Sequence, residues 1–236
     1  MKAFVYGTAL QWKMDLRSKS LLVTCYLVPL LFFAVVGEIF ISVMPQTKET
    51  LIYSMTIMGI CMGTAIGVPP SLAEIYGTDI RKMYKANGIP VYYGILSTAI
   101  SSLLHLMILS MIIYLAAPVI FDASRPENPA GYFGKVLIFA IVSLSTGAVL
   151  GCGIPDPSKI PMFSQIVFLP SIMLSGIMFP VDLLPEGLRT AGKLFPASWA
   201  YRWMTGTGSL FENLLPLCGI SAAMAFACIW RLRTLK

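Results

Sequence analysis

Histidine is almost missing from this chain: His105 stands alone in 236 residues. Cysteine is sparse too, and Cys25, Cys61, Cys152, Cys218 and Cys228 each lie inside or at the end of an apolar run. None pairs as C-x-x-C and there is no H-E-x-x-H, so no zinc spacing fits. The cysteines read as small buried apolar residues. Charge is the third scarcity. Only 12% of residues are charged and 57% are hydrophobic, against about 25% charged in soluble domains. Too little polar surface remains to cover a soluble globule. No paired carboxylates lie within the apolar runs, so the acid–base couple of an intramembrane hydrolase is missing. No small-residue cleavage site follows the first run, which is expected to stay in place as a span.

What is present is a series of long apolar stretches. A bilayer core of about 30 Å takes about 20 helical residues. Six runs reach or approach that length: 21–43, 51–72, 93–117, 133–153, 161–179 and 210–230. The pattern predicts an all-α integral membrane protein with six transmembrane helices, the second closing at Pro69-Pro70. Residues 1–19 differ. Val5, Ala9, Trp12 and Leu16 share one helical face, with Lys2, Tyr6, Lys13 and Arg17 beside them. That composition predicts an amphipathic helix lying in the membrane interface, in contact with lipid. Residues 180–209, broken by Pro180, Pro185 and Pro196, predict a short outer re-entrant region with Trp199, Tyr201 and Trp203 as an aromatic belt.

The chain carries 17 Lys and Arg against 11 Asp and Glu, a net charge of +6. The cations flank apolar runs instead of forming one patch, so they report orientation and not a nucleic-acid partner. With the N-terminus inside, the outer segments hold six cations, Lys48, Arg125, Lys135, Arg189, Lys193 and Arg202. The other eleven of the 17 fall inside, with both termini.

Several constellations could carry function. Gly187 to Lys193 matches the first part of a phosphate-binding loop, but Leu194 replaces the hydroxyl that would hold magnesium, and no strand precedes it. No ATP site is expected in this chain. Ser97, Ser101 and His105 share a face of the third run and could line a translocation route. Glu38, the acidic residue inside a span, could face an outward cavity or reach the headgroups. Gly59, Gly63 and Gly67 repeat at four-residue spacing, as do Ser143, Gly147 and Gly151, so these faces could pack helices within one subunit or between two. Between the second and third runs lies a loop, 74–90. Its capping pattern predicts a short helix: Thr78 as N-cap, Asp79 at the positive end, and Asn87-Gly88 before Pro90 as the stop. Ile80, Met83 and Tyr84 fall on one face, with Arg81, Lys82 and Lys85 expected to turn toward water or lipid phosphate. Such a knob suits docking to a partner on the inner side.

At this loop the chain resembles the type-2 permeases of ATP-binding cassette (ABC) transporters. Its EIYGTDIRKMYKANGIP is similar to the family's E-x-x-G-T segment, coupling helix and proline. Its SGIMFPVDLLPEGLRTAGKLFP is similar to the stretch that ends the fifth span and opens the outer region. The resemblance implies an exporter's permease subunit that pairs with a second permease, identical or related. A separate cytoplasmic ATPase subunit would bind ATP and magnesium. It also implies that Glu74, Gly77, Thr78, Asp79, Ile80, Arg81, Met83 and Tyr84 couple the two, in a bacterial plasma membrane. The apolar, Met-rich composition, with 14 Met, suits lipophilic or amphipathic cargo such as a drug, antibiotic, peptide or lipid. The alternative is a self-sufficient secondary transporter or channel.

The charge asymmetry has a direct test. In a background without the native cysteines, Ser209→Cys is expected to react with an impermeant maleimide in intact cells, and Ser18→Cys only after lysis. Labelling of position 18 from outside would overturn the assigned orientation.

Overall fold

The computed structural model describes residues 2–77, 80–154 and 156–234. The expected cap residues Thr78 and Asp79 lie outside the described residues, as do the side chains of Arg81 and Lys85. Among the described residues every regular element is helical. In chain order they are α1 (Lys2–Arg17), α2 (Lys19–Val43), α3 (Leu51–Gly77), α4 (Ile80–Ala86) and α5 (Tyr93–Phe121), then α6 (Pro129–Gly153), α7 (Ile160–Met173), α8 (Glu186–Gly192), α9 (Pro196–Met204) and α10 (Leu210–Thr234). Five of these, α2, α3, α5, α6 and α10, are long and apolar enough to cross a membrane, and the chain is a multi-pass membrane protein. Helix α7 has 14 residues, short of a full crossing. It stops before a turn in which Gly176 takes φ 88°. A Cβ there would come 2.7 Å from Val181.

Helix α3 does not close at Pro69-Pro70 as the sequence suggested. It runs on to Gly77 because a wide π turn over Gly63–Gly67 precedes the prolines, with the Val68 N–H donating five residues back to the Gly63 carbonyl. Proline offers no N–H and its ring collides with the carbonyl four residues earlier. One extra residue in the turn moves that carbonyl aside. Helix α2 uses the same device. Its π turn Val23–Leu27 stands just before Pro29, with Val28 N–H donating to the Val23 carbonyl. In lipid no water can satisfy a carbonyl freed by proline, so the rearrangement must come from the chain itself.

Helix α3 is the axis of the bundle, with 83% of its most apolar stretch buried against 33% or less in α2, α5 and α10. Both small-residue ladders serve it. On one side Gly59 and Gly63 admit α5: a Cβ at each would stand 2.9 and 2.6 Å from Leu109 and Leu106. Gly67 admits α2, where a Cβ would lie 3.1 Å from Cys25 Sγ. On the other side α6 lays its backbone on the π turn. A Cβ on Gly147 would collide with the Thr64 carbonyl oxygen, and one on Gly151 would lie 2.8 Å from that of Pro69. Ser143, on the same row, is 3% exposed. The ladders therefore pack helices within the chain.

The segment after α7 folds back into the bundle. Ala197 and Ala200 of α9 are fully buried, and the Ser198 hydroxyl donates to the Gly192 carbonyl at 2.6 Å. Trp203 leaves the expected aromatic belt: it is buried, with Lys135 Nζ 5.7 Å from its ring centre and donating to its carbonyl at 3.0 Å.

Because Gly147 meets backbone, which cannot swing aside, Gly147→Ala is expected to cost roughly 1–3 kcal/mol. Gly219→Ala, on α10 with nothing within 4 Å of the new Cβ, should be neutral or slightly stabilising. Thermal unfolding in detergent reads both. Equal losses, or none at Gly147, would refute close backbone approach as the glycine's role.

Candidate functional site

Helix α1 docks along α5 through a buried polar cluster. Its bundle-facing row is Phe4, Gly7, Gln11 and Asp15, while Val5, Ala9 and Leu16 point outward. The apolar face expected from sequence is therefore divided, and of its members Trp12 lies over the bundle. Asp15 is 5% exposed. Its carboxylate accepts from the Ser101 hydroxyl and, at 2.9 Å, from Gln11 Nε2. One turn further along α5, His105 is fully buried. The Trp12 indole stacks on its ring at 4.1 Å, and Tyr26 Oη is 2.7 Å from its Nδ1. The Ser97 hydroxyl turns back to the Gly94 carbonyl at 3.2 Å.

The expected stripe of Ser97, Ser101 and His105 is thus gathered on one face and roofed by α1 and α2. Among the described residues, His105 Nε2 and Thr98 Oγ1 find no hydrogen-bond partner. Buried polar atoms without partners are costly. Glu38 does not join the cluster. It lies twelve residues beyond Tyr26, about 18 Å along α2, on an exposed position. Asp15 escaped the sequence reading. Its signal was available: it is the one acidic residue before Glu38, in a helix otherwise rich in cations.

The second feature is the knob α4. Glu74 is exposed at the end of α3, while Ile75 and Tyr76 behind it are buried. Tyr76 Oη donates to the Val91 carbonyl at 2.6 Å and accepts from the Ile95 N–H at 3.1 Å. This double bond to the start of α5 holds together the two ends between which α4 hangs. Gly94 makes room, since a Cβ there would meet Ile75 at 2.9 Å. Helix α4 ends with Gly88 at φ 67° and the Ile89 N–H reaching the Tyr84 carbonyl at 2.8 Å, the glycine-dependent stop that closes many helices. The apolar face expected on α4 splits. Ile80 and Tyr84 pack inward, Tyr84 edge-on to Tyr93 at 6.1 Å. Burial raises the Tyr84 phenol above its ordinary value, and Tyr93 adds to the effect, so it stays neutral near pH 7. Met83 points out and is 61% exposed. Ile80 and Tyr84 are drawn in because Tyr93 and Phe4, themselves 5.7 Å apart edge to face, offer a nearby aromatic surface. A cavity of about 670 Å³ remains between α1, α4 and the start of α5.

Among the described residues no cluster of His, Cys, Asp and Glu could hold a metal ion. No solved structure matches the chain. Over 105 residues it is 26% identical to the linearmycin resistance permease protein LnrN of Bacillus subtilis (strain 168), an overlap of 43% of this chain and 27% of that protein. The match thus spans little more than a quarter of the relative. The sequence pattern of the ABC-2 type transporter matches residues 3–207. An all-helical multi-pass bundle, the knob between its second and third long runs and this match lead to one assignment: the chain belongs to the ABC-2 type transporter family, whose members are membrane transport subunits and not enzymes.

Proposed function

We propose that the chain is the permease subunit of an ABC exporter, one of a pair of permeases driven by ATP that a separate ATPase subunit hydrolyses. ATP and magnesium belong to that partner. In this reading six passages cross a bacterial plasma membrane, α7 with its following turn making the fifth, and both termini are cytoplasmic. Helix α1 lies in the interface with its outward apolar side chains in lipid. The cargo is lipophilic or amphipathic. A relative named for resistance to linearmycin supports an antibiotic-like compound.

Helix α4 carries the proposal. Seven residues form a helix that is marginal alone, yet this one is capped by Gly88 and slung between ends that Tyr76 ties together. Glu74, Gly77 and the α4 residues then form the coupling segment, with Met83 as its outward contact and Ile80 and Tyr84 as its seat. A push on Met83 passes through Tyr84 to Tyr93 and Phe4. From there it reaches Asp15–Ser101 and Trp12–His105, so the polar stripe transmits the movement into the membrane.

Two outcomes are expected. The purified chain alone should hydrolyse no ATP, and addition of its cognate ATPase should confer hydrolysis. Activity of the isolated chain, with contaminants excluded, would refute the division of labour. Second, Met83→Ala should weaken ATPase co-purification by about fivefold, the effect of losing roughly 1 kcal/mol at an interface. Leu183→Ala, exposed beyond α7, should leave it unchanged. Full retention in Met83→Ala would remove α4 as the docking contact.

A further inference from the structure

A groove of about 460 Å³ opens between α5, α6 and α10. Its walls are almost wholly aliphatic. Helix α5 contributes Leu96 and Leu103, α6 contributes Ile141 and Ala148, and α10 contributes Ala225 and Ile229. Ser145 also lines it, but its hydroxyl is committed to the Val142 carbonyl at 2.6 Å. The wall therefore offers an occupant no hydrogen bond along its length. That rejects a polar ligand, whose own groups would be left unsatisfied, and accepts a hydrocarbon chain.

The groove also has a depth and a charged end. Along α5 its lining runs from Tyr92 to Leu103, eleven residues and about 16 Å at helical rise. That is half of a hydrocarbon core about 30 Å thick, the depth of one leaflet. All three helices bring the same end of the groove to the membrane surface: the start of α5, the end of α6 and the end of α10. There Arg231 Nε donates to the Cys152 carbonyl at 3.2 Å, fixing α10 against α6 and setting the width of the mouth. Arg233 follows Ile229 by four residues, so it continues the groove-facing row one turn further on. It is exposed. Tyr92 stands opposite, just before α5, and is 61% exposed. An aliphatic slot one leaflet deep, with a cation and a phenol at its mouth, is complementary to one molecule.

We infer that this groove binds a phospholipid of the leaflet on the Arg233 side, one acyl chain lying between α5, α6 and α10 and the phosphate at Arg233 and Tyr92. The site borders the cavity beneath α4 through Tyr92, and its lining includes no member of the Asp15–His105 cluster. It requires only that these helices span a bilayer and not that the chain export a particular cargo. By tying α5, which carries the polar stripe, to α10, a lodged acyl chain makes the seam between them dependent on the surrounding membrane.

The test is native mass spectrometry of the full chain, delipidated in mild detergent and titrated with dioleoyl phosphatidylglycerol or with dioleoylglycerol, which has the same chains and no phosphate. One phosphatidylglycerol per chain is expected, with dioleoylglycerol held about fivefold less tightly, the effect of one cation near the headgroup. Arg233→Gln should weaken phosphatidylglycerol about fivefold and leave dioleoylglycerol unchanged. Ala225→Phe fills the slot from an exposed position and should weaken both lipids roughly tenfold, as losing burial of about two methylenes would. Should Ala225→Phe disturb folding, the Arg233→Gln comparison decides alone. Equal affinity for the two lipids, or no response to either substitution, would overturn the assignment. So would disulfide-linked dimers of Ile229→Cys that exclude lipid, which would make the groove a seat for a second copy of the chain.

Discussion

Close approach of backbone to backbone at the middle of α3 is the condition on which the bundle rests. Three helices crowd this one element, and each does so where a side chain is missing: α5 at Gly59 and Gly63, α2 at Gly67, and α6 at its own Gly147 and Gly151. Between lipid-soluble helices there is little hydrophobic gain from association, so contact depends on dispersion over closely fitted surfaces. The π turn of α3 sharpens the requirement. It moves the Thr64 carbonyl to where α6 crosses, and the crossing is possible because Gly147 presents nothing beyond its own backbone. Prolines, π turns and glycines are thus one device. The prolines demand a wider turn, the turn displaces a carbonyl, and the glycine receives it.

Much of this was legible in the sequence because it depends on composition and local spacing. Long apolar runs located the five helices long and apolar enough to cross a membrane, and four-residue spacing marked both ladders. What escaped depends on partners distant along the chain. Helix α3 passes Pro69-Pro70 because its turn widens upstream, which a rule about proline alone does not contain. Trp203 left the expected belt because Lys135, 68 residues earlier, stands over it. Asp15 went unread because its hydrogen-bond donor Ser101 lies 86 residues away. A helical wheel puts Ile80, Met83 and Tyr84 on one face of α4, but it does not show that the aromatic surface of Tyr93 and Phe4 draws in two of the three.

The functional features share a logic of position. The knob hangs outside the long helices, fastened by Tyr76 and seated through Tyr84. Helix α1 lies along α5, its polar row joined to that helix through Asp15 and Ser101. Phe4 belongs to the seat and Asp15 and Trp12 to the buried cluster, so one short helix touches both ends of the route. A rigid helix spanning two sites transmits displacement without changing its own shape. A loop of the same composition would absorb that displacement.

The burial of α3 also sets an order in time. The chain leaves the ribosome from its N-terminus, and α3 is complete at Gly77, whereas the elements that enclose it end at Phe121, Gly153 and Met204. A nascent chain that has made only α1 to α3 therefore holds a helix whose Gly59 and Gly63 still lack α5 and whose Thr64 carbonyl still lacks Gly147 of α6. Its final packing waits for more than a hundred further residues. During that interval the axis is unfinished, and an early stop or a slow insertion of α6 leaves it so.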